Sequence, residues 1–440
     1  MFTYLKAKNY KSLGNIEFNL LNNKKKIKYP KKLAVIYGEN GAGKSNLATI
    51  FFTLAETLRT MEIRDVIQSY LENSSSENTK EFIEFIKNNF RDTERIIKAN
   101  KTINSDENMI LEYGFQIGSD RGNYIIEMDD NKIIREELNF KIEKNKGCLF
   151  SVSQNKVKLN TKACITKSYY DELLLNIEKF WGKHSLLSIL INDMNDKAEG
   201  YVEKQLNENL VKVIKFLKSF SCRVKVGNRI EKARVGLKYK MLQELEEGKI
   251  PITKEYELKN AEELLNEFFT RIYSDIKEVY YKTENIGEEI EYKLYCRKMI
   301  SDEIRDIDFE LESTGTQQLL SLIPYILSAV DGNVVIIDEF DSGIHDLLVK
   351  NLLLSINDSI KGQLIMTTHN TMIMESEIEK DALYVIIVDS NGEKSIKCIT
   401  ELEGRVHPNN NVRNRYIAGL YRGIPSMMDI DFEELLDIFE

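Results

Sequence analysis

Unbroken apolar runs and alternating runs divide this chain into predictable elements. Leu33-Ala34-Val35-Ile36-Tyr37, Val334-Val335-Ile336-Ile337 and Gln363-Leu364-Ile365-Met366 are short and almost wholly apolar, the pattern of strands buried on both faces. Strict alternation appears at Met109, Leu111, Tyr113, Phe115 and Ile117, then at Tyr124, Ile126 and Met128. It predicts antiparallel strands over 109–140, turning at Ser119-Asp120-Arg121-Gly122. Phe2, Tyr4 and Ile16-Glu17-Phe18 have strand character around a turn at Lys11-Ser12-Leu13-Gly14, and residues 279–311 regain it through Tyr280, Tyr281, Tyr292, Leu294 and Tyr295.

A period of 3.6 takes over between about 165 and 285. It runs through Tyr170, Leu173, Leu174, Ile177, Phe180 and Trp181, through Val202, Leu206, Leu210, Val213, Ile214 and Leu217, and through Leu264, Leu265, Phe268, Phe269, Ile272 and Ile276. Further helices are predicted from Asn46 to Phe52, from about Thr79 (with Phe82, Ile83, Phe85 and Ile86), and from Leu319 to Val330. Residues 222–260 are basic, then acidic, with few apolar positions, which reads as an arm or lid. The end of the chain, 429–440, reads as an amphipathic surface helix. The whole is an α/β chain in three parts: an N-terminal lobe over 1–164, a mostly helical insertion or arm over 165–278, and a C-terminal lobe over 279–440.

Composition narrows this picture. No apolar run approaches the roughly 18 residues of a membrane span, and the N-terminus lacks the apolar core of a signal peptide. Five cysteines lie far apart with no C-x-x-C, which points to free thiols in a reducing, cytoplasmic setting. A net charge of -9 tells against a chain-wide nucleic-acid surface. Local DNA contacts remain available to basic residues in 24–32 and 222–240.

The chemistry concentrates at four places. Gly38-Glu39-Asn40-Gly41-Ala42-Gly43-Lys44-Ser45 lies between an apolar strand and a helix, the context of a phosphate cradle. Its backbone N–H groups and the helix N-terminus face an anion, Lys44 reaches the β- and γ-phosphates, and the Ser45 hydroxyl suits Mg2+. The run Val334–Ile337 ends in Asp338 and Glu339, which suit Mg2+ and the activation of an attacking water. Another apolar strand ends in Thr367-Thr368-His369-Asn370, placing His369 for a γ-phosphate contact. Glu312-Ser313-Thr314-Gly315-Thr316-Gln317 heads a helix, and Asp341-Ser342-Gly343-Ile344-His345 opens the next, with His345 at the helix start or at an interface.

In this order the motifs resemble an ABC-type ATPase head: P-loop at 38–45, Ser-x-Gly-x-Gln element at 313–317, acidic strand at 334–339, D-loop-like Asp341 and switch-type His369. The opening Asn9-Tyr10-Lys11-Ser12-Leu13 is similar to the SMC, Rad50 and RecF branch. With the tail Arg413–Pro425, the chain is most similar to prokaryotic AAA ATPases allied to overcoming-lysogenization-defect and abortive-infection proteins. The resemblance implies a mixed sheet flanked by helices, an antiparallel β subdomain, and a homodimer or higher assembly sandwiching ATP and Mg2+. In it Lys44 and Ser45 of one copy face Ser313 and Gly315 of the other, with Gln317 and Asp341 completing the nucleotide site. It further implies slow hydrolysis and a separate effector, a nuclease or toxin. A RecF-type DNA-end or repair ATPase is the alternative. The signature departs from the transporter form L-S-G-G-Q, and Gln116 and Gln154 are the candidates for a Q-loop glutamine.

Overall fold

The computed structural model describes residues 1–22, 28–62, 91–226, 230–237, 240–403, 411–424, 430 and 432–438. The helix expected from Thr79, the lysines at 24–26 and His407 lie outside the described residues.

The N-terminal lobe opens with β1 (Phe2–Tyr10), β2 (Gly14–Asn19), β3 (Leu33–Tyr37), α1 (Lys44–Thr57) and α2 (Thr93–Asn100). A run of strands follows: β4 (Met109–Ile117), β5 (Asp120–Met128), β6 (Ile133–Lys141), β7 (Lys146–Ser153) and β8 (Lys156–Leu159). Next come α3 (Lys167–Phe180), α4 (Leu186–Asp196), α5 (Tyr201–Gln205) and α6 (Glu208–Ser219). Beyond them lie β9 (Ser221–Val226), β10 (Ile230–Arg234), β11 (Glu247–Pro251), α7 (Glu255–Ile272), β12 (Ile276–Ile286), β13 (Glu289–Ile300) and β14 (Glu303–Asp308). The chain continues through α8 (Thr314–Asp331), β15 (Val334–Ile337), α9 (Asp346–Ser359), β16 (Gln363–Thr367), β17 (Leu383–Val388) and β18 (Lys394–Cys398).

Three sheets form among the described residues. The first is antiparallel, in the order β2-β1-β4-β5-β6-β7-β8, as the alternation predicts. The second runs β10-β9-β15-β16-β3-β17-β18, and its five inner strands are parallel. The third holds β12 on one edge of β13 and both β11 and β14 on the other.

The apolar runs are explained by what covers each face. Along β3, Ala34 and Ile36 enter one core with α1, the antiparallel sheet and α3 to α6. Leu33, Val35 and Tyr37 enter a second core with α7, α8 and α9. β15 divides likewise, Val334 and Ile336 on one side, Val335 and Ile337 on the other. A strand covered on both faces has no use for polar alternation. Gln363 fastens the two larger sheets: its Oε1 accepts from the Phe2 N–H at 2.8 Å, and its Nε2 donates to the carbonyls of Phe2 at 3.0 Å and Lys31 at 2.8 Å.

Two expectations are corrected. The helical period through Val202 to Leu217 is broken at Asn207, which caps α6 through its Oδ1, so two helices form where one is predicted. Residues 222–226, read as part of an arm, belong to β9, a strand of the parallel sheet beside β15. Cys222 and Val224 are in the core, while Arg223 donates to Gln318 Oε1 at 3.1 Å and Lys225 pairs with Glu339. A buried strand with every second residue basic looks solvated until its partners are known.

Candidate functional site

Parallel strands deliver their carboxyl ends to one edge of the sheet, and ligands bind there in open α/β folds. Here that edge receives the loop after β3, the acids after β15, the Thr-Thr-His after β16, and the end of β9.

The P-loop bends as its glycines allow. Gly43 has φ +104 and its missing Cβ would lie 2.5 Å from Leu13 Cδ2, so the turn closes directly onto the segment after β1. Lys44 is buried and its ammonium donates to the carbonyls of Gly38 at 2.8 Å and Glu39 at 3.0 Å. Burial lowers its pKa, opposed by the charges of Asp338, Glu339, Asp341 and Glu39. Lys394 of β18 closes the other side, donating to Ser12 Oγ at 2.8 Å and to the Gly41 carbonyl at 3.1 Å. Asn40, Ala42 and Ser45 stand in the same loop and helix start.

The two neighbouring acids have different surroundings. Asp338 is buried and accepts from Thr367 Oγ1 at 2.6 Å. Burial raises its pKa, opposed first by the Thr367 hydrogen bond and then by the nearby Ser45 hydroxyl. Glu339 is half-exposed and has φ +51, a left-handed conformation rare for a side-chain-bearing residue. Its N–H donates to the same Thr367 hydroxyl at 2.8 Å, while its Oε2 meets Lys225 Nζ. His369 completes the group through its backbone N–H, which donates to Asp341 Oδ2 at 3.1 Å. Burial first and the charge of Lys44 second lower the His369 pKa, against Asp341, Glu339 and Asp338. That lowering favours the neutral imidazole, which can donate a hydrogen bond without adding positive charge.

Ser313 caps α8, its Oγ accepting from the Thr316 N–H at 3.2 Å. Gly315 lies against the D-loop: a Cβ there would be 2.8 Å from the Gly343 carbonyl oxygen. We expect Gly315→Ala to push the signature helix off the D-loop and lower turnover about tenfold while ATP affinity is kept. Steady-state kinetics beside a nucleotide titration checks this. The Gln317 amide donates to the Glu310 carbonyl. Among the described residues no hydrogen bond or ion pair joins Ser313, Gly315 or Gln317 to residues 38–45 of the same chain.

Neither Q-loop candidate is at this edge. Gln116 pairs with the backbone of Met1, near the amino end of β16, and Gln154 is exposed in the turn between β7 and β8. His345 is a helix start, its Nδ1 accepting from the Leu347 N–H at 3.2 Å. Lys225, Thr367 and Lys394 join this group through their hydrogen bonds and were not singled out by the sequence reading. A threonine closing an apolar strand just before the histidine is the one signal that could have found Thr367.

Residues 209–375 match the family described as "AAA domain, putative AbiEii toxin, Type IV TA system". No curated protein matches the chain. Among solved structures, the SMC head domain from Thermotoga maritima aligns at 14% identity over 90% of this chain and 98% of that one, with a TM-score of 0.38. The Smc head domain with an extended coiled coil from Pyrococcus furiosus, bound to the C-terminal domain of ScpA, aligns at 13% identity over 90% and 95%, with a TM-score of 0.40. The recombination mediator protein RecF-ATPrS of the RecFOR pathway aligns at 11% identity over 90% and 98%, with a TM-score of 0.36. The matched segment contains Ser313–Gln317, Asp338, Glu339 and His369, and the glycine-rich loop 38–45 lies on the same sheet edge: over residues 209–375 the chain is similar to an AAA domain family described as a putative AbiEii toxin.

Proposed function

We propose that this protein is a slow ATPase of a prokaryotic anti-phage, abortive-infection-like system, in which nucleotide-dependent dimerisation controls a separate effector, a nuclease or toxin. The observation that carries the reading is the meeting of Lys44, Ser45, Asp338, Glu339, Asp341 and His369 at one sheet edge, within or facing a segment matched to an AbiEii-type AAA family. The residues fit ATP and Mg2+: Asp341 Oδ1 is a buried acceptor with no partner among the described residues, and Ser45 and Asp338 form a hard-oxygen pair. When bound, Mg2+ supplies charge neutralisation between the β- and γ-phosphates.

The chain's own residues divide the work. Asn40, Gly41, Ala42 and Gly43 present backbone N–H groups to the phosphates, Lys44 exchanges its loop carbonyls for phosphate oxygens, and Ser45 and Asp338 hold the metal. Glu339 accepts the proton of the attacking water, and neutral His369 donates to the transferred group. Among the described residues no hydrogen bond or ion pair joins Ser313, Gly315 or Gln317 to their own P-loop, which supports a second copy placing its signature there.

The alternative, a RecF- or Rad50-like DNA-binding ATPase, loses several of its candidate contacts. Lys31 Nζ is buried against Tyr384, Lys32 Nζ donates to the Ile360 carbonyl, and Arg223, Lys225 and Arg234 face protein partners. None of the helices in the described residues is long and apolar enough to cross a membrane, in keeping with the cytoplasmic placement proposed here. Lys44→Ala should weaken ATP·Mg2+ binding about 10- to 100-fold by calorimetry. Unchanged binding would sink the nucleotide reading, and ATPase activity rising strongly with DNA would favour the alternative over an effector recovered with the native protein.

A further inference from the structure

We propose that Lys225 is the residue that positions Glu339 for catalysis, gripping the water-activating carboxylate and the D-loop together. The inference rests on the reading of Glu339 as general base.

The geometry is that of a second restraint added to a first. The backbone of Glu339 is held in its left-handed conformation by two bonds, its N–H donating to Thr367 Oγ1 and its carbonyl accepting from the Ser342 N–H at 3.0 Å. Those bonds do nothing for the side chain, which has three further rotatable bonds and is about one-third exposed. Lys225 supplies what is missing. Its Nζ meets Glu339 Oε2 and lies 3.3 Å from Ser342 Oγ, and its backbone N–H points at Asp338 Oδ2 at 3.4 Å. Among the described residues only Oε2 is engaged, so Oε1 is left to take a proton from water.

The strand that carries Lys225 ties this grip to the signature. Arg223, two residues earlier and hence on the same face of β9, donates to Gln318 of the signature helix. One strand therefore contacts the signature helix, the D-loop serine and both acids of the site. A dimer partner pressing on the signature or the D-loop would act on Glu339 through it. The pair is about one-third exposed on each side, so it contributes little to the stability of the fold. Its effect should appear in turnover.

The test is steady-state kinetics on the full-length protein. Lys225→Met keeps the aliphatic stem and removes the charge. We expect kcat to fall about 10- to 100-fold with the KM for ATP within about twofold and the melting temperature preserved. Lys225→Arg should restore at least about a third of the wild-type rate, which a merely structural role would not require. In the Glu339→Gln background, Lys225→Met should lower the rate no further, because its target is already gone. A kcat that stays level or rises in Lys225→Met overturns the proposal, as does an equal loss in both backgrounds. Full turnover in Glu339→Gln alone overturns the base assignment instead, so the two failures are distinguishable.

Discussion

Glu339→Gln should bind ATP as the wild type does and turn it over about 100- to 10,000-fold more slowly. The substitution keeps size and shape and removes the ability to accept a proton. It leaves Lys44, Ser45 and Asp338 in place, and with them the phosphate and metal contacts. The backbone at position 339 is held by its N–H to Thr367 Oγ1, a bond that glutamine retains. The measurable consequence is separation of binding from turnover, with nucleotide trapped and a two-copy species accumulating on size exclusion in ATP. A Glu339→Gln variant with unimpaired turnover would place the base elsewhere; a strictly monomeric one would remove the sandwich.

The second large effect concerns stability. Glu136, on β6, is fully buried and accepts four hydrogen bonds. Oε1 takes the Tyr124 hydroxyl at 2.9 Å and the Leu187 N–H at 3.3 Å; Oε2 takes the Trp181 indole at 3.0 Å and the Leu186 N–H at 2.6 Å. Two of these donors are the first N–H groups of α4, which no helical carbonyl can satisfy. The carboxylate thereby fastens the helical segment to the antiparallel sheet. Glu136→Ala strands all four donors and should cost about 3–5 kcal/mol, read by denaturant unfolding. A loss below about 1 kcal/mol would mean that water or Ser185 replaces it.

Glu136 also sets a pH dependence. Burial raises its pKa above the unfolded value, with the four donors opposing. The native state then binds the proton more tightly than the unfolded state. The stability this contributes is full below the unfolded pKa and is lost as pH rises through the folded one. The advantage of wild type over Glu136→Gln should therefore shrink as pH rises above the ordinary carboxylate range.

Much of the site was legible because phosphate chemistry imposes local spacing. A loop that turns backbone N–H groups inward needs its glycines, lysine and serine at fixed offsets, so 38–45 stands out in one dimension. Acids at the end of a buried strand are visible for the same reason, and Asp338, Glu339 and His369 stand at one sheet edge with the P-loop. The alternation in 109–140 likewise gives β4, β5 and β6, since one covered face leaves a period of two. Lys225 and Arg223 were hidden, because a basic residue in a strand carries the same letter whether water or a carboxylate answers it.

What the sequence indicated by itself, then, is which short segments have the spacing suited to a phosphate, a metal and a base, and which segments are buried strands. Those properties reside in a few adjacent residues and need no knowledge of the rest. Tertiary structure alone decided that β9 lies beside β15 and brings a lysine to Glu339, that Gln116 lies away from the nucleotide edge, and that Gly315 rests on Gly343. Each of these joins residues far apart along the chain, and such contacts are chosen by how the cores close and how buried charges find partners.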